Sequence, residues 1–214
     1  MSGRDAKLWR ILPTLAKYRA TRRGVQLASA AIEIHGGNGY IEDWPIARQL
    51  RDGQCHPIWE GTENIIAIDV MRAIEREGVL QPVLERVEKA VADADHPVLQ
   101  PVRDTVRNYA SDVQEAVAYV AGAPKDVSRL HPRRITRYLA NLVSGALLVE
   151  QAATELREKN SARKAAVARL YCSVRLGSHS LGGIGRDDRL VLDGFEAITR
   201  YEELEPDRLL TLVA

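Results

Sequence analysis

The chain has 214 residues, 45% hydrophobic and 28% charged, with 30 Lys+Arg against 29 Asp+Glu and a formal net charge of +1. This composition excludes intrinsic disorder, and at this length folding removes roughly 70% of the surface that the unfolded chain exposes. The even charge argues against a nucleic-acid or membrane binder driven by bulk electrostatics, and two cysteines, Cys55 and Cys172, are too few for a disulfide scaffold or a four-thiolate metal site.

The first forty residues read as a long helix and its stop. Leu8, Ile11, Leu12, Leu15 and Ala16 recur at helical spacing, as do Leu27, Ala28, Ala31 and Ile34. Proline is tolerated in a helix's first turn, so Pro13 is expected to mark the true start. His35-Gly36-Gly37-Asn38-Gly39-Tyr40 then ends the helix, since glycine just past the last turn is the usual cap. Residues 41–58, with Pro45 and Pro57, are expected to be irregular, with one short turn around Ile46–Arg51. A second helix is predicted from Thr62 to Glu77, with Thr62 as N-cap, Ile65, Ile66, Ile68, Asp69 and Arg72 in register, and Gly78 as its end.

Beyond Gly78 the pattern predicts helices over 80–93, 97–121, 132–158, 161–180 and 187–204. The breakers between them are His96-Pro97, Gly122-Ala123-Pro124, His131-Pro132, Asn160 and Leu181-Gly182-Gly183-Ile184-Gly185. No strand-like alternation is convincing. The predicted fold is an all-α helical bundle in two parts, 1–78 and 79–214, because all three tryptophans precede Gly78. The opening residues lack an apolar signal core. The longest apolar stretch, Tyr138 to Val149, contains Asn141 and Ser144 and falls short of the roughly 20 residues a membrane span needs. A cytoplasmic chain without a membrane partner is expected.

The segment that carries chemistry is Glu33 to Arg76. Trp59-Glu60-Gly61-Thr62 sets an acid between bulky apolar residues and a helix start. Desolvation by Ile58 and Trp59 would raise the carboxyl pKa, while the helix N-terminus would lower it. Gly61 permits close approach by a ligand, and Thr62 and Asn64 lie beside free backbone N–H groups that suit a phosphate. The plainer reading makes Glu60 an ordinary exposed acid before a capped helix. Gly36, Gly37 and Gly39 follow a helix rather than a strand, so they are not a dinucleotide fingerprint. They are a helix stop, or a loop whose backbone lies against a ligand.

Asn38-Gly39-Tyr40-Ile41-Glu42-Asp43-Trp44-Pro45-Ile46-Ala47-Arg48-Gln49-Leu50-Arg51-Asp52, followed by Ile58-Trp59-Glu60-Gly61-Thr62-Glu63-Asn64-Ile65, strongly resembles the C-terminal region of acyl-CoA dehydrogenases. That family shows a glycine-rich loop ending in an aromatic residue, an acid-x-Pro turn, a Leu-x-Arg-Asp element and an aromatic-Glu-Gly-Thr string before its last helix. All occur here in order, within about residues 5 to 77. The wording Ile-Trp-Glu-Gly and the long helical extension look most like the alkylation-response branch. One departure is Glu33, where the family usually has Gln three residues before the glycine pair.

The resemblance implies an FAD enzyme that oxidises an acyl-CoA thioester to its α,β-enoyl form. It puts Glu60 at the position of the catalytic base, Trp59 and Gly61 at the acyl pocket, and Thr62 and Asn64 on the FAD. It puts Gly36 and Gly37 against the FAD of a neighbouring subunit. It further implies that the N-terminal helical domain and middle β-domain of the family have no counterpart here, so the isolated chain is expected to be inactive. It would be completed by a separate N-terminal dehydrogenase half or work within a homo-oligomer. The two matched helices would need a cover, either the extension or a second copy.

Other residues read as structural. His56, His96 and His131 each precede a proline and are turn residues, with no Cys/His spacing that suits a metal. Cys55, close to Glu60 in sequence, has a reactive-thiol reading, but a half-buried structural role is the expectation. Arg133, Arg134 and Arg137 form a basic helix start, and Arg163, Lys164, Arg169 and Arg175 a basic run. The extension of the alkylation-response branch is associated with DNA, but residues 79–214 carry 19 basic and 19 acidic residues, so DNA is disfavoured as a partner. The alternatives to a piece of a flavoenzyme are a non-catalytic helical interaction module and a DNA-associated helical domain.

Overall fold

The computed structural model describes residues 3–177 and 188–213; the turn expected at Leu181–Gly185 lies outside the described residues. The helices in chain order are α1 (Gly3–His35), α2 (Gly37–Tyr40), α3 (Pro45–Cys55), α4 (Glu63–Arg72), α5 (Leu80–Ala92), α6 (Gln100–Gly122), α7 (Lys125–Ser128), α8 (Pro132–Lys159), α9 (Arg163–Arg175), α10 (Asp188–Arg200) and α11 (Pro206–Val213). A π-helical turn, Ala73–Glu77, prolongs α4, and a 3-10 turn, Pro97–Leu99, precedes α6. No strand occurs among the described residues, and the chain is all-α as its periodicity predicts. No described helix is long and apolar enough to cross a membrane.

Three local expectations are corrected. Pro13 lies well inside α1, not at its start. Residues 45–55 form a full helix, because Pro45 occupies the first turn, where its missing N–H costs no hydrogen bond. Ala47 is buried there, Ile46 and Leu50 are half-buried, and Arg48, Arg51 and Asp52 face out. The helix α11 also lies beyond the last predicted element. The helix stop at His35 holds: Gly36 adopts φ +56°, and the single turn α2 follows it.

The chain divides into two compact units, one holding residues up to Pro82 with Val117–Ala140, the other Val83–Ala116 with residues from Asn141 on. In the first, α1 buries Ile11, Leu15, Tyr18 and Val25, a stripe at helical spacing. Ala47 of α3, Ile66, Ala67 and Val70 of α4, and Ile135 and Leu139 of α8 are buried as well. Arg10 reaches from α1 to Asp69 at 2.7 Å and to Glu77 at 3.2 Å. The Tyr18 hydroxyl donates to the Arg133 carbonyl at 3.3 Å. Part of the extension thus covers the first helices. The cover is incomplete: Leu27 and Ile34, which share the helical apolar spacing, are 70% and 83% exposed.

The second unit is built on small aliphatics. Val83, Val87 and Val91 of α5 are buried, as are Val102, Val106 and Val113 of α6 and Leu142, Val149 and Ala152 of α8. A Cβ on Gly145 would meet Leu176 Cδ1 at 2.7 Å and Cys172 Sγ at 3.3 Å, so α8 and α9 approach closely there. A buried polar knot joins the α8–α9 turn to residues 201–204. Ser161 Oγ accepts from the Leu204 N–H at 3.3 Å, and the Ala162 N–H donates to the Leu204 carbonyl. Arg163 pairs with Glu155 at 3.5 Å and lies 4.8 Å from the Tyr201 ring centroid.

Candidate active-site turn and groove

The Trp59–Thr62 turn begins where α3 ends. The Ile58 and Trp59 N–H groups both donate to the Cys55 carbonyl, at 3.0 and 3.2 Å, which curls the chain back. Glu60 then adopts φ +52° and Gly61 φ +107°. Two consecutive positive-φ residues form a sharp corner, and only the glycine takes it without steric cost. Lys17 of α1 bridges the corner: its Nζ donates to the Gly61 carbonyl at 2.9 Å and to the Trp59 carbonyl.

Thr62 holds the N-cap position of α4 with extended backbone, φ −69° and ψ 167°. Its carbonyl accepts the Ile66 N–H at 2.9 Å, but its hydroxyl makes no capping bond, so the first-turn N–H groups of α4 are left without a side-chain cap. Glu63, in that first turn, is held by Arg133 at 2.7 Å and Arg22 at 3.7 Å.

A groove of about 780 Å³ runs beside the turn. Trp59 and Glu60 line it, with Pro13, Thr14, Lys17 and Thr21 from α1 and Ile65, Ile66, Ile68, Asp69 and Arg72 from α4. The structure therefore brings Trp59 and Glu60 to one cleft. Gly61 turns the chain at its rim, while Thr62 and Asn64 sit on the adjoining helix start outside the lining residues. Gly36 and Gly37 lie at the far end of α1, exposed, with open space where a side chain would project.

The dry surroundings expected for Glu60 are not supplied by this chain. Glu60 is exposed, Trp59 is 56% exposed and Ile58 64%, so desolvation by these neighbours is not realised here. Cys55 is exposed rather than half-buried, whereas burial pushes the Cys172 thiol up to about 12. Sequence reasoning missed Lys17, although Pro13, Thr14, Lys17 and Thr21 follow helical spacing along one face of α1. No group of three or more His, Cys, Asp or Glu side chains that could hold a metal gathers among the described residues.

The basic clusters are largely committed internally. Besides the Arg133–Glu63 pair, the Arg134 guanidinium reaches the Tyr138 hydroxyl at 3.5 Å, and Arg137 lies 5.7 Å from the Tyr138 ring centroid. Arg163 is buried, which removes it from any surface run.

Residues 3–75 match the family model of the acyl-CoA dehydrogenase C-terminal domain, and residues 78–182 match that of the acyl-CoA dehydrogenase 11 C-terminal domain-like region. The chain is 28% identical over 208 residues to acyl-CoA dehydrogenase family member 11 of Caenorhabditis elegans, covering 92% of this chain and 33% of that protein. It is 32% identical over 102 residues to the putative acyl-CoA dehydrogenase AidB of Escherichia coli, covering 46% of this chain and 19% of that one. The crystal structure of Caenorhabditis elegans ACDH-11 in complex with C11-CoA superposes with a TM-score of 0.75 at 26% identity, over 93% of this chain and 34% of that one. The chain thus spans about a third of the length of its nematode relative. With two consecutive family models over most of its length and a solved relative sharing its fold, the chain belongs to the acyl-CoA dehydrogenase superfamily, of which it carries the C-terminal helical region.

Proposed function

We propose that the chain forms the C-terminal part of an FAD-dependent oxidoreductase acting on an acyl-CoA thioester, with Glu60 as the base that removes the α-proton. The observation that carries this reading is the strained corner. A glutamate held at φ +52° on the rim of a groove, beside Trp59, is in a conformation that few residues with a side chain adopt. The thioester α-proton is a weak acid, so its removal needs a carboxylate fixed against the carbon and kept from water. Trp59 and Gly61 would form one wall of the acyl site. The nematode relative, solved with C11-CoA, supports an acyl-CoA thioester as the substrate class.

The residues expected at the flavin suit it. The exposed Gly36 and Gly37 leave room for a ligand against the backbone, and the uncapped start of α4 with Thr62 and Asn64 offers donors to a phosphate or a polar ring edge. When bound, FAD supplies the acceptor for the hydride leaving the β-carbon. Glu60 takes the α-proton, and the electrons of that C–H bond become the new Cα=Cβ bond. Exposure of Glu60 and Trp59 means that further protein must close the site, either a separate N-terminal and β-domain portion or neighbouring subunits of a homo-oligomer. We also place the chain in the cytoplasm, on the strength of its two unpaired thiols.

The test is to purify the chain alone and together with an N-terminal and β-domain portion encoded in the same genome. The completed protein should carry a flavin absorption spectrum and reduce its flavin with acyl-CoA. Glu60→Gln should retain the flavin and lower kcat by at least about a hundredfold, the usual contribution of a positioned base. A completed protein that stays colourless would favour a helical interaction module without chemistry, and full turnover by Glu60→Gln would remove the base assignment.

A further inference from the structure

We propose that Lys17 is the positioning residue of the Glu60 corner: its ammonium ties the carbonyls on either side of Glu60 to α1 and holds that residue in its left-handed conformation. The chemical meaning of the proposal rests on Glu60 being the base; its structural content does not.

Three observations converge. Glu60 has φ +52°, a region in which a residue with a Cβ is disfavoured, so left alone the corner would relax. Its neighbours' carbonyls, those of Trp59 and Gly61, both accept from the same Lys17 Nζ. An ammonium is a stronger donor than a neutral group, and its two acceptors hold the peptide plane that enters Glu60 and the one that leaves Gly61, so the two-residue corner is pinned at both ends. The third observation is the base from which Lys17 reaches out. Leu15 and Tyr18 are buried on α1, so the backbone carrying Lys17 is anchored by the core rather than by a loop. Lys17 and Glu60 also line the same groove, so the clamp and the carboxylate open onto one space.

A neutral side chain at position 17 would lose the charge that favours both carbonyls. An arginine could keep it in part, with a planar fork in place of a compact ammonium. Lys17 accordingly acts through Glu60 and need not touch substrate.

The test reads the backbone of Glu60 directly in the full chain. Positive φ brings the amide proton of a residue close to its own Hα, which gives a strong intraresidue cross-peak by NMR. That cross-peak is expected in the unmodified chain and in Lys17→Arg, and should weaken at least twofold in Lys17→Met and in Lys17→Gln. Lys17→Gln serves should the methionine variant fold poorly. In the completed, flavin-loaded enzyme, Lys17→Met should lower kcat tenfold or more with KM changed less than twofold, and Lys17→Arg should recover part of the loss. An unchanged Glu60 cross-peak in the folded neutral variants overturns the proposal. If the cross-peak collapses as expected while Glu60→Gln turns over at full rate, the clamp stands and the assignment of Glu60 as base falls.

Discussion

Three glycines stand within four positions after α1, and they do three different things. Gly36 takes φ +56° and ends the helix. Gly37 has open space around its Cβ position. Gly39 is packed against α1: a Cβ there would lie 2.4 Å from the Ile32 carbonyl oxygen and 2.8 Å from the Ile32 Cα, both backbone atoms that cannot swing aside. Gly39→Ala should therefore destabilise by about 2 kcal/mol, the order seen for forced overpacking, while Gly37→Ala should stay near neutral. Urea denaturation of the two variants side by side checks the contrast. The helix stop itself was legible in the sequence, because glycine clusters end helices whatever surrounds them. Which glycine is indispensable was not, since that depends on how close the α1 backbone comes. Glu60 is similar: its string of neighbours marked it, but its left-handed backbone and its dependence on Lys17, forty-three positions earlier, follow only from tertiary placement.

At the scale of elements, apolar periodicity predicts most of the helices, and proline is where prediction and structure part. Pro13, expected at a helix start, lies inside α1, while Pro45, expected in an irregular stretch, begins α3. Ile46, Ala47 and Leu50 already carried the helical spacing that the two flanking prolines obscured. The basic run after Asn160 shows the opposite limit, because composition cannot tell a solvated arginine from a buried one. The Arg163 and Glu155 side chains are only 9% and 11% exposed, and Glu155 also accepts the Lys164 N–H at 2.8 Å, capping α9. Removing one member of a buried pair leaves the other uncompensated, so Arg163→Met should cost roughly 3 kcal/mol or more. Adding Glu155→Gln should return part of that loss, which a double-mutant cycle of urea midpoints measures.

For the whole molecule, stability in alkali is set in part by a thiol. Burial raises the Cys172 thiol to about 12, against about 9 when the chain is unfolded. The folded state keeps its proton longer than the unfolded one, so the contribution is complete below about pH 9 and is lost as the pH climbs towards about 12, at up to about 1.4 kcal/mol per pH unit. Stability curves from pH 8 to pH 11 should fall less steeply in Cys172→Ala than in the unmodified chain, because the difference between the two isolates this group. Elsewhere, Leu27, Ile34, Ile65 and Ile68 lie at helical spacing and yet leave much apolar surface open. The helical pattern located them on faces; what covers a face cannot be read from one chain's periodicity.

The seam between the two family models falls between residues 75 and 78, yet the first compact unit recruits residues 117–140, with Arg133 fastened to Glu63 and to the Tyr18 hydroxyl. Units of inheritance and units of folding are therefore offset along this chain. A cut at the seam separates α1–α4 from the α8 turns that fasten them, so residues 3–77 taken alone lose both the Arg133–Glu63 pair and the hydrogen bond from the Tyr18 hydroxyl to the Arg133 carbonyl.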